Sequence, residues 1–158
     1  MKVTPMKKNV MKTAALIAVI AVYAVLGTTV AGEKTSGQTT GAKNRVVIQV
    51  SDDNPKVHKL ALNNAENLQQ VLGANNVEVE VVAYGPGLSI MTDKNPDSMR
   101  VTQLSMMGVT FSACSVTMKK MTKATGKEPK LVDGVRVVPG GVVRIMELQQ
   151  QGWTYIRP

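Results

Sequence analysis

The sequence predicts an α/β fold in which a mainly parallel sheet of about five strands carries helices on both faces. Two observations lead to this prediction: β-branched runs alternate with segments of helical periodicity, and Gly, Pro, Asn or Asp residues separate them. Strands that alternate with helices are joined by right-handed crossovers, which place the strands parallel. The length of 158 residues and the 44% hydrophobic content suit one globular domain.

The N-terminal part of the chain departs from this pattern. Residues 1–12 carry four lysines and no acidic residue, and an apolar run follows at residues 14–26. With small residues at Thr29 and Ala31, this composition predicts a secretory signal peptide over residues 1–31, cleaved after Ala31, and a periplasmic or secreted protein. An uncleaved membrane anchor is the alternative. Residues 32–44 contain one alanine as their only apolar residue and predict a flexible linker, which leaves residues 45–158 as the folded domain.

The N-terminal segment contributes half of the net charge of +8. The chain has 19 Lys and Arg and 11 Asp and Glu, and without the first four lysines a net charge of +4 remains, 15 against 11. This modest charge, the five aromatic residues and the expected export argue against nucleic acid as a partner. A single Cys and a single His exclude a disulfide within the chain and a four-ligand Cys/His zinc site.

The first half of the domain predicts two strands and two helices. A β-branched run at residues 45–50 is followed by a turn-rich stretch and then by apolar residues at helical spacing over residues 56–72. Alternating Val and Glu at residues 77–83 indicate a second strand, which ends at Tyr84-Gly85-Pro86-Gly87. A weaker helix is expected over residues 97–107.

The second half continues the same alternation. We expect a strand, a helix, a strand, a helix and a final strand, in that order, over residues 109–113, 115–123, 135–138, 142–151 and 153–156. Residues 124–134 read as a polar loop. Because ligands of such sheets bind beyond the carboxyl ends of the strands, the residues at those ends are the candidates for a site: Ser51, Tyr84, Gly85, Cys114, Pro139 and Gly140.

Cys114 is the candidate for chemistry, since it lies between a predicted strand and a predicted helix. A helix N-terminus stabilises a thiolate, and Lys119, Lys120 and Lys123 follow on the same helix. A lowered thiol pKa would make Cys114 a nucleophile or a sulfur carrier. The alternative is a small buried hydrophobic residue. We prefer the reactive interpretation, because an idle unpaired thiol in an exported protein invites oxidation.

Three other acidic or imidazole side chains are assigned no catalytic role. His58 falls beside the apolar stripe of the first helix and is expected to be solvated, so a Cys/His or Ser/His/Asp arrangement is not predicted. Glu78 and Glu80 lie on one face of the second strand, where we expect solvent or a subunit contact.

No nucleotide or other cofactor is predicted. The segment Gly85-Pro86-Gly87 begins like a dinucleotide fingerprint but lacks its third glycine, and Asp52 and Asp53 would repel a phosphate at the end of the first strand. A soft-metal site for Cu(I) on Cys114, Met118 and Met121 is an alternative, although Met at this spacing usually fills a core. The lysines at 119, 120, 123, 127 and 130 form a solvated surface or attract anionic sulfur compounds to the thiol.

Several separate blocks of sequence resemble the DsrE/DsrF-like family, in its exported single-domain branch. They are residues 46–53, 62–67, 77–87, 108–118 and 137–153, which keep the order of the family's elements. The resemblance implies a flavodoxin-like three-layer sandwich that assembles into trimers or hexamers. It also implies that Cys114 matches the residue that carries a persulfide in better-known members, which pass sulfur between donor and acceptor proteins.

The sequence therefore leads to one hypothesis and one rival. The hypothesis is an exported homo-oligomeric sulfur-relay protein in which Cys114 holds sulfane sulfur, within a pocket formed by Ser51, Tyr84, Gly85, Pro86, Ser115, Thr117, Pro139 and Gly140. The rival is a non-catalytic oligomeric binding protein, with or without the soft-metal site. A thiol oxidoreductase is disfavoured because the chain has no second Cys to resolve a mixed disulfide.

Overall fold

The computed structural model describes residues 43–158. The strands are β1 (Asn44–Val50), β2 (Val77–Ala83), β3 (Thr110–Cys114), β4 (Val135–Val138) and β5 (Thr154–Ile156). The helices are α1 (Pro55–Leu72), a 3₁₀ helix (Gly85–Met91), α2 (Ser98–Met106), α3 (Ser115–Thr125) and α4 (Gly141–Gln150). The predicted signal peptide and all but the last two residues of the predicted linker lie outside the described residues. Within residues 43–158, no helix is both long and apolar enough to cross a membrane.

The five strands form one parallel sheet in the order β4-β3-β2-β1-β5. The register places Ile48 of β1 beside Val81 of β2, and Cys114 of β3 beside Val138 of β4. Because all strands run the same way, their carboxyl ends meet at one edge of the sheet. The predicted fold class is confirmed, and Cys114 lies at that edge.

The direction of the crossovers decides which face of the sheet each helix covers. Strands β1 to β4 are added one after another in the same direction, so right-handed connections place α1, α2 and α3 on one face. The chain then returns from β4 to β5 on the far side of β1, and this reversed step places α4 on the opposite face. The result is a three-layer sandwich whose two helical layers are unequal.

The burial pattern reflects this inequality. The main core joins alternate residues of the strands to α1, α2, α3 and the 3₁₀ helix, with Ile48, Val81 and Phe111 fully buried at its centre. Among residues 43–158, the second core has four buried members, Val47 and Val82 from the sheet and Ile145 and Leu148 from α4. Because α4 has so small an apolar contact, polar contacts contribute more to its placement.

The predicted exposure of His58 is wrong. Its side chain is 2% exposed in the first turn of α1. Nε2 lies 2.9 Å from the backbone carbonyl oxygen of Asp52, and Nδ1 lies 3.3 Å from the side-chain nitrogen Nδ2 of Asn95. The loop that precedes α1 and the loop that precedes α2 enclose the ring, and the periodicity of α1 alone carries no information on these loops. His58 joins the two loops.

The predicted exposure of Glu80 is also wrong, because its carboxylate is buried. The carboxylate of Glu78 is partly exposed, as predicted. Both carboxylates share the face of β2 that α4 covers, but Glu78 is 45% exposed beside Lys43 and Glu80 is 2% exposed. Arg136 of β4 and Arg144 of α4 both reach Glu80 at 2.8 Å. The alternation of β2 correctly predicts the common face, but not the helix and the arginines that cover its centre.

Candidate functional site

A cavity of about 730 Å³ opens at the carboxyl ends of β2 and β3. The 3₁₀ helix and the first turns of α3 and α4 surround it. Its lining is mostly apolar and consists of Asp53, Tyr84, Gly85, Pro86, Ser89, Cys114, Val116, Thr117, Lys120, Met121, Ala124, Gly140, Gly141, Val142 and Val143. The cavity contains the one thiol of the chain.

Cys114 combines low exposure with access to this cavity. It is the last residue of β3 and the N-cap residue of α3, and it is 5% exposed while still lining the cavity wall. The strand fixes its backbone through the register with Val138, and the helix that begins at Ser115 directs amide groups towards it. The thiol is therefore held rigidly at a point that a small ligand can reach.

The surroundings of Cys114 favour the thiolate. Burial raises the pKa of the thiol, but hydrogen bonds from the Gly141 N–H, the Thr117 hydroxyl, the Thr117 N–H and the Val116 N–H outweigh burial and lower the pKa below its usual range. Two of these amides belong to the first turn of α3, as the sequence predicted. The Gly141 amide belongs to the first turn of α4, a second helix N-terminus that the sequence did not indicate.

Gly141 approaches the site closely because it has no side chain. A Cβ atom at this position would lie 2.9 Å from Cβ and from Cδ1 of Tyr84, which is too close for a packed contact. The residue is buried, and α4 starts there with Gly140 as its extended N-cap residue. The glycine therefore lets the N-terminus of α4 lie against Tyr84 and reach the sulfur.

The 3₁₀ helix forms the opposite wall of the cavity. The Gly85 N–H donates to Oγ1 of Thr117 at 2.9 Å, which leaves the Thr117 hydroxyl hydrogen free to donate to the Cys114 sulfur. A Cβ at Gly87 would lie 2.5 Å from the carbonyl oxygen of Val50, so only glycine permits this helix to pack against the end of β1. These contacts fix the hydroxyl that faces the thiol.

The structure brings most of the predicted pocket residues together. The residues that line the cavity with Cys114 are Tyr84, Gly85, Pro86, Thr117 and Gly140. Ser51, Ser115 and Pro139 do not line it. Ser51 accepts a hydrogen bond from Gln49 at 3.1 Å, and the Ser115 hydroxyl donates to the carbonyl oxygen of Pro139 at 3.0 Å. The last contact ties the start of α3 to the turn before α4.

Sequence reasoning missed several cavity residues, of which Gly141 bears most on the chemistry. The pair Gly140-Gly141 between a strand and a helix is a signal for close backbone approach. The missed apolar residues Val116, Val142 and Val143 had no signal, because a side chain at the exposed start of a helix reveals its partner only when the fold is known.

The lysines contribute less than the sequence indicated. Of the five between 119 and 130, only Lys120 lines the cavity. Lys127 and Lys130 line a different hollow with Asp93 and Glu128, and Lys130 Nζ lies 3.8 Å from Asp93 Oδ2. The amide groups of two helices, rather than a cluster of cations, are the main groups that stabilise the thiolate.

The three sulfur atoms considered for Cu(I) are not gathered in the cavity. Met121 lines it with Cys114, but Met118 packs into the main core and is 8% exposed. Among residues 43–158 there is also no group of three His, Cys, Asp or Glu side chains placed to hold a metal ion. The cavity wall therefore presents Cys114 and Met121, whereas Met118 belongs to the core.

Comparison with known proteins agrees with the fold. The model of the DsrE/DsrF-like family matches residues 45–158. The solved structure of the protein of unknown function MTH1491 from Methanobacterium thermoautotrophicum is 37% identical, with a TM-score of 0.66, and the match covers 73% of this chain and all of that one. No curated protein matches the chain significantly.

Two further solved structures share the fold at 13% identity. They are the conserved protein of unknown function BT1422 from Bacteroides thetaiotaomicron, with a TM-score of 0.53 over 73% of this chain and 95% of that one, and the ychN protein from E. coli, with a TM-score of 0.55 over 74% of this chain and all of that one. The chain belongs to the DsrE/DsrF-like family, which is in general a family of sulfur-relay proteins.

Proposed function

We propose that this protein carries sulfane sulfur on Cys114 and passes it to an acceptor thiol. The observation that supports the proposal most strongly is the position of Cys114 at the wall of a cavity, with backbone amides from two helices lowering the pKa of its thiol. The thiolate is the form of cysteine that attacks sulfur, so these amides favour the reactive form.

The transfer consists of two displacements at sulfur. The Cys114 thiolate attacks the terminal sulfur of a donor persulfide R–S–SH, the S–S bond of the donor breaks, and its electron pair leaves with R–S⁻, which takes a proton from water. Cys114 is then Cys–S–SH. An acceptor thiolate attacks the outer sulfur, and Cys114 leaves as the thiolate while the acceptor becomes the persulfide. No external oxidant or reductant is needed, since the oxidation state of the transferred sulfur is unchanged.

The test is the intact mass of the purified protein after incubation with a small organic persulfide or with polysulfide. We expect an adduct of about 32 Da, one sulfur atom, that dithiothreitol removes and that Cys114→Ser lacks. An adduct of the same size on the Cys114→Ser variant would place the sulfur elsewhere. No adduct with either donor would contradict the carrier function.

We propose further that the protein assembles into homo-trimers or hexamers and meets its sulfur donor and acceptor at the cavity. Three apolar side chains in the first turns of α3 and α4 support this assembly, because they are half-exposed and line the same cavity: Val116, Val142 and Val143. Light scattering coupled to size exclusion measures the assembly. A monomer at micromolar concentration would contradict it.

Export is part of the same proposal and rests on the composition of residues 1–31 alone. We propose a periplasmic or secreted mature protein that starts after Ala31. N-terminal sequencing of the protein from the extracytoplasmic fraction tests this directly. A chain recovered only with residues 1–31 attached, in the membrane fraction, would favour the anchor instead.

A further inference from the structure

Glu80 is a charged residue buried in the sheet that the proposed chemistry does not use. Its Oε1 accepts hydrogen bonds from Arg144 Nε at 2.8 Å and from Ser112 Oγ at 2.7 Å, and it lies 2.8 Å from Arg136 Nη2. Its Oε2 accepts from Arg144 Nη2 at 2.8 Å. The carboxylate thus joins β2 to β3, β4 and α4, and Arg144 binds both of its oxygens.

Stability alone is a weak explanation for this network. Removing two charges from water has a large desolvation cost, so well-packed apolar residues of similar size often stabilise a fold as much as a buried ion pair does. What a bidentate pair adds is a fixed geometry between the elements that carry it. The elements that this network joins therefore indicate which part of the molecule it holds in place.

Both ends of the network lie close in sequence to the thiol site. Ser112 precedes Cys114 by two residues on β3, and Arg136 precedes Val138, the register partner of Cys114, by two residues on β4. Arg144 lies three residues after Gly141 in the first turn of α4, and its N–H donates to the carbonyl oxygen of Gly140 at 2.9 Å. The network therefore ties together the strand that holds the sulfur and the helix that supplies the Gly141 amide.

The placement of α4 relies on this network because the apolar contact of α4 with the sheet is small. Only Ile145 and Leu148 of α4 are buried in the second core, and both lie beyond Arg144, away from the first turn. The first turn itself carries the exposed Val142 and Val143. Besides the packing of Gly141 against Tyr84, the guanidinium of Arg144 is the contact that joins the first turn to the centre of the sheet.

We propose that Glu80 and Arg144 are positioning residues for Cys114: their ion pair holds the first turn of α4 against the sheet and so keeps the Gly141 amide beside the thiol in the cavity that Gly141 and Cys114 both line. The inference rests on the proposed sulfur-carrier function for its biological meaning. Its test measures only the ionisation of the Cys114 thiol. The carrier function can therefore fail in the mass experiment while this inference holds, and this inference can fail while the carrier function holds.

The test is the rate of Cys114 alkylation by iodoacetamide as a function of pH, in the full-length protein and in Glu80→Gln and Arg144→Lys. If the Gly141 amide loses its position, the midpoint of the alkylation rate against pH rises in both variants. We expect a rise of about one pH unit, which is about a tenfold lower rate constant at pH 7. A purely electrostatic role for Glu80 predicts the opposite sign, since removing its negative charge leaves Arg136 and Arg144 unpaired and stabilises a nearby thiolate.

Glu147→Gln is the matched control. Glu147 Oε2 lies 3.5 Å from Arg144 Nη1 in the exposed part of the network, so this variant removes a carboxylate from the same arginine and leaves Glu80 in place. We expect its midpoint to stay within about 0.2 units of the parent value. The other titratable groups that face Cys114 across the cavity, Asp53, Tyr84 and Lys120, are the same in all variants.

The outcomes are distinct. A raised midpoint in Glu80→Gln and Arg144→Lys, with no shift in Glu147→Gln, supports the positioning role. An unchanged or lowered midpoint in either folded variant overturns it, and so does an equal rise in Glu147→Gln. Circular dichroism identifies a variant that does not fold. Arg144→Lys keeps every charge, so it decides the question alone if Glu80→Gln is unfolded.

Discussion

Arg144 Nε and Nη2 each donate a 2.8 Å hydrogen bond to one oxygen of Glu80, which joins the first turn of α4 to the centre of the sheet. The same turn presents the Gly141 amide to Cys114. A buried ion pair and a reactive thiol therefore share one short helical segment, and several measurements can separate their contributions to stability and to reactivity.

Truncation of Glu80 is expected to destabilise the fold strongly. Glu80→Ala leaves Arg136 and Arg144 without their common partner, and breaking a buried pair in this way costs about 3–5 kcal/mol in the free energy of unfolding. Urea denaturation measures the loss. Glu78→Ala is the control on the same strand, since its partner Lys43 is exposed and such pairs contribute about 1 kcal/mol or less. Equal losses in the two variants would contradict the burial argument.

The stability of the protein is expected to fall in acid partly through Glu80. Burial raises the pKa of Glu80, but hydrogen bonds from Arg144, Ser112 and Arg136 outweigh burial and lower the pKa below its ordinary value. The folded state then binds this proton less readily than the unfolded state, so the contribution is full above the unfolded pKa of about 4.3 and is lost as the pH falls through the folded pKa.

The measurement is the free energy of unfolding in urea between pH 3 and pH 7. The parent protein should lose stability more steeply below pH 5 than Glu80→Gln, because the Gln side chain has no carboxylate that could take up a proton. Parallel pH profiles for the two proteins would show that Glu80 titrates alike in the folded and unfolded states, against the expectation.

Gly141→Ala is expected to disturb both packing and reactivity. The new Cβ would lie 2.9 Å from Tyr84, and overpacking of this kind costs about 1–3 kcal/mol. We also expect slower alkylation of Cys114, because relief of the clash moves the amide away from the sulfur. Gly140→Ala is the matched control, since a Cβ there would meet only Val143, at an ordinary 3.4 Å from Cγ2 and 3.6 Å from Cβ, and the residue is extended at φ −151°. Equal rates in the two variants would count against the role of the Gly141 amide.

The hydroxyl of Thr117 is expected to contribute to thiol ionisation. It accepts from the Gly85 N–H and lowers the pKa of Cys114 as a donor. Thr117→Val keeps the shape but removes the donor, so the pH midpoint of alkylation should rise by about half a unit to one unit, while Thr117→Ser should stay near the parent value. A rise of the same size in Thr117→Ser would point to packing and not to the hydroxyl.

The parts of the fold that local patterns encode could be predicted from the sequence. The alternation of Val and Glu in β2 and the apolar period of α1 gave the elements to within one or two residues, and their order gave a parallel sheet with Cys114 at its carboxyl edge. The 3₁₀ helix was not predicted, because Gly85-Pro86-Gly87 reads as a turn until Gly87 is seen packed against the carbonyl of Val50.

The chemistry around the thiol was predicted only in part, for a physical reason. Thr117, which is near Cys114 in sequence, could be placed because a helix fixes its own first turn. Gly141 and Glu80 could not, since each acts across the fold.

The sequence by itself therefore determined the order of the elements, the edge at which the only thiol lies and the helix that follows it. The tertiary structure alone decided that α4 stands on the far face of the sheet, that Arg144 binds Glu80 there, and that a second helix N-terminus reaches Cys114. Local periodicity is set by neighbours along the chain, whereas burial and pKa depend on groups that crossover connections bring from distant positions.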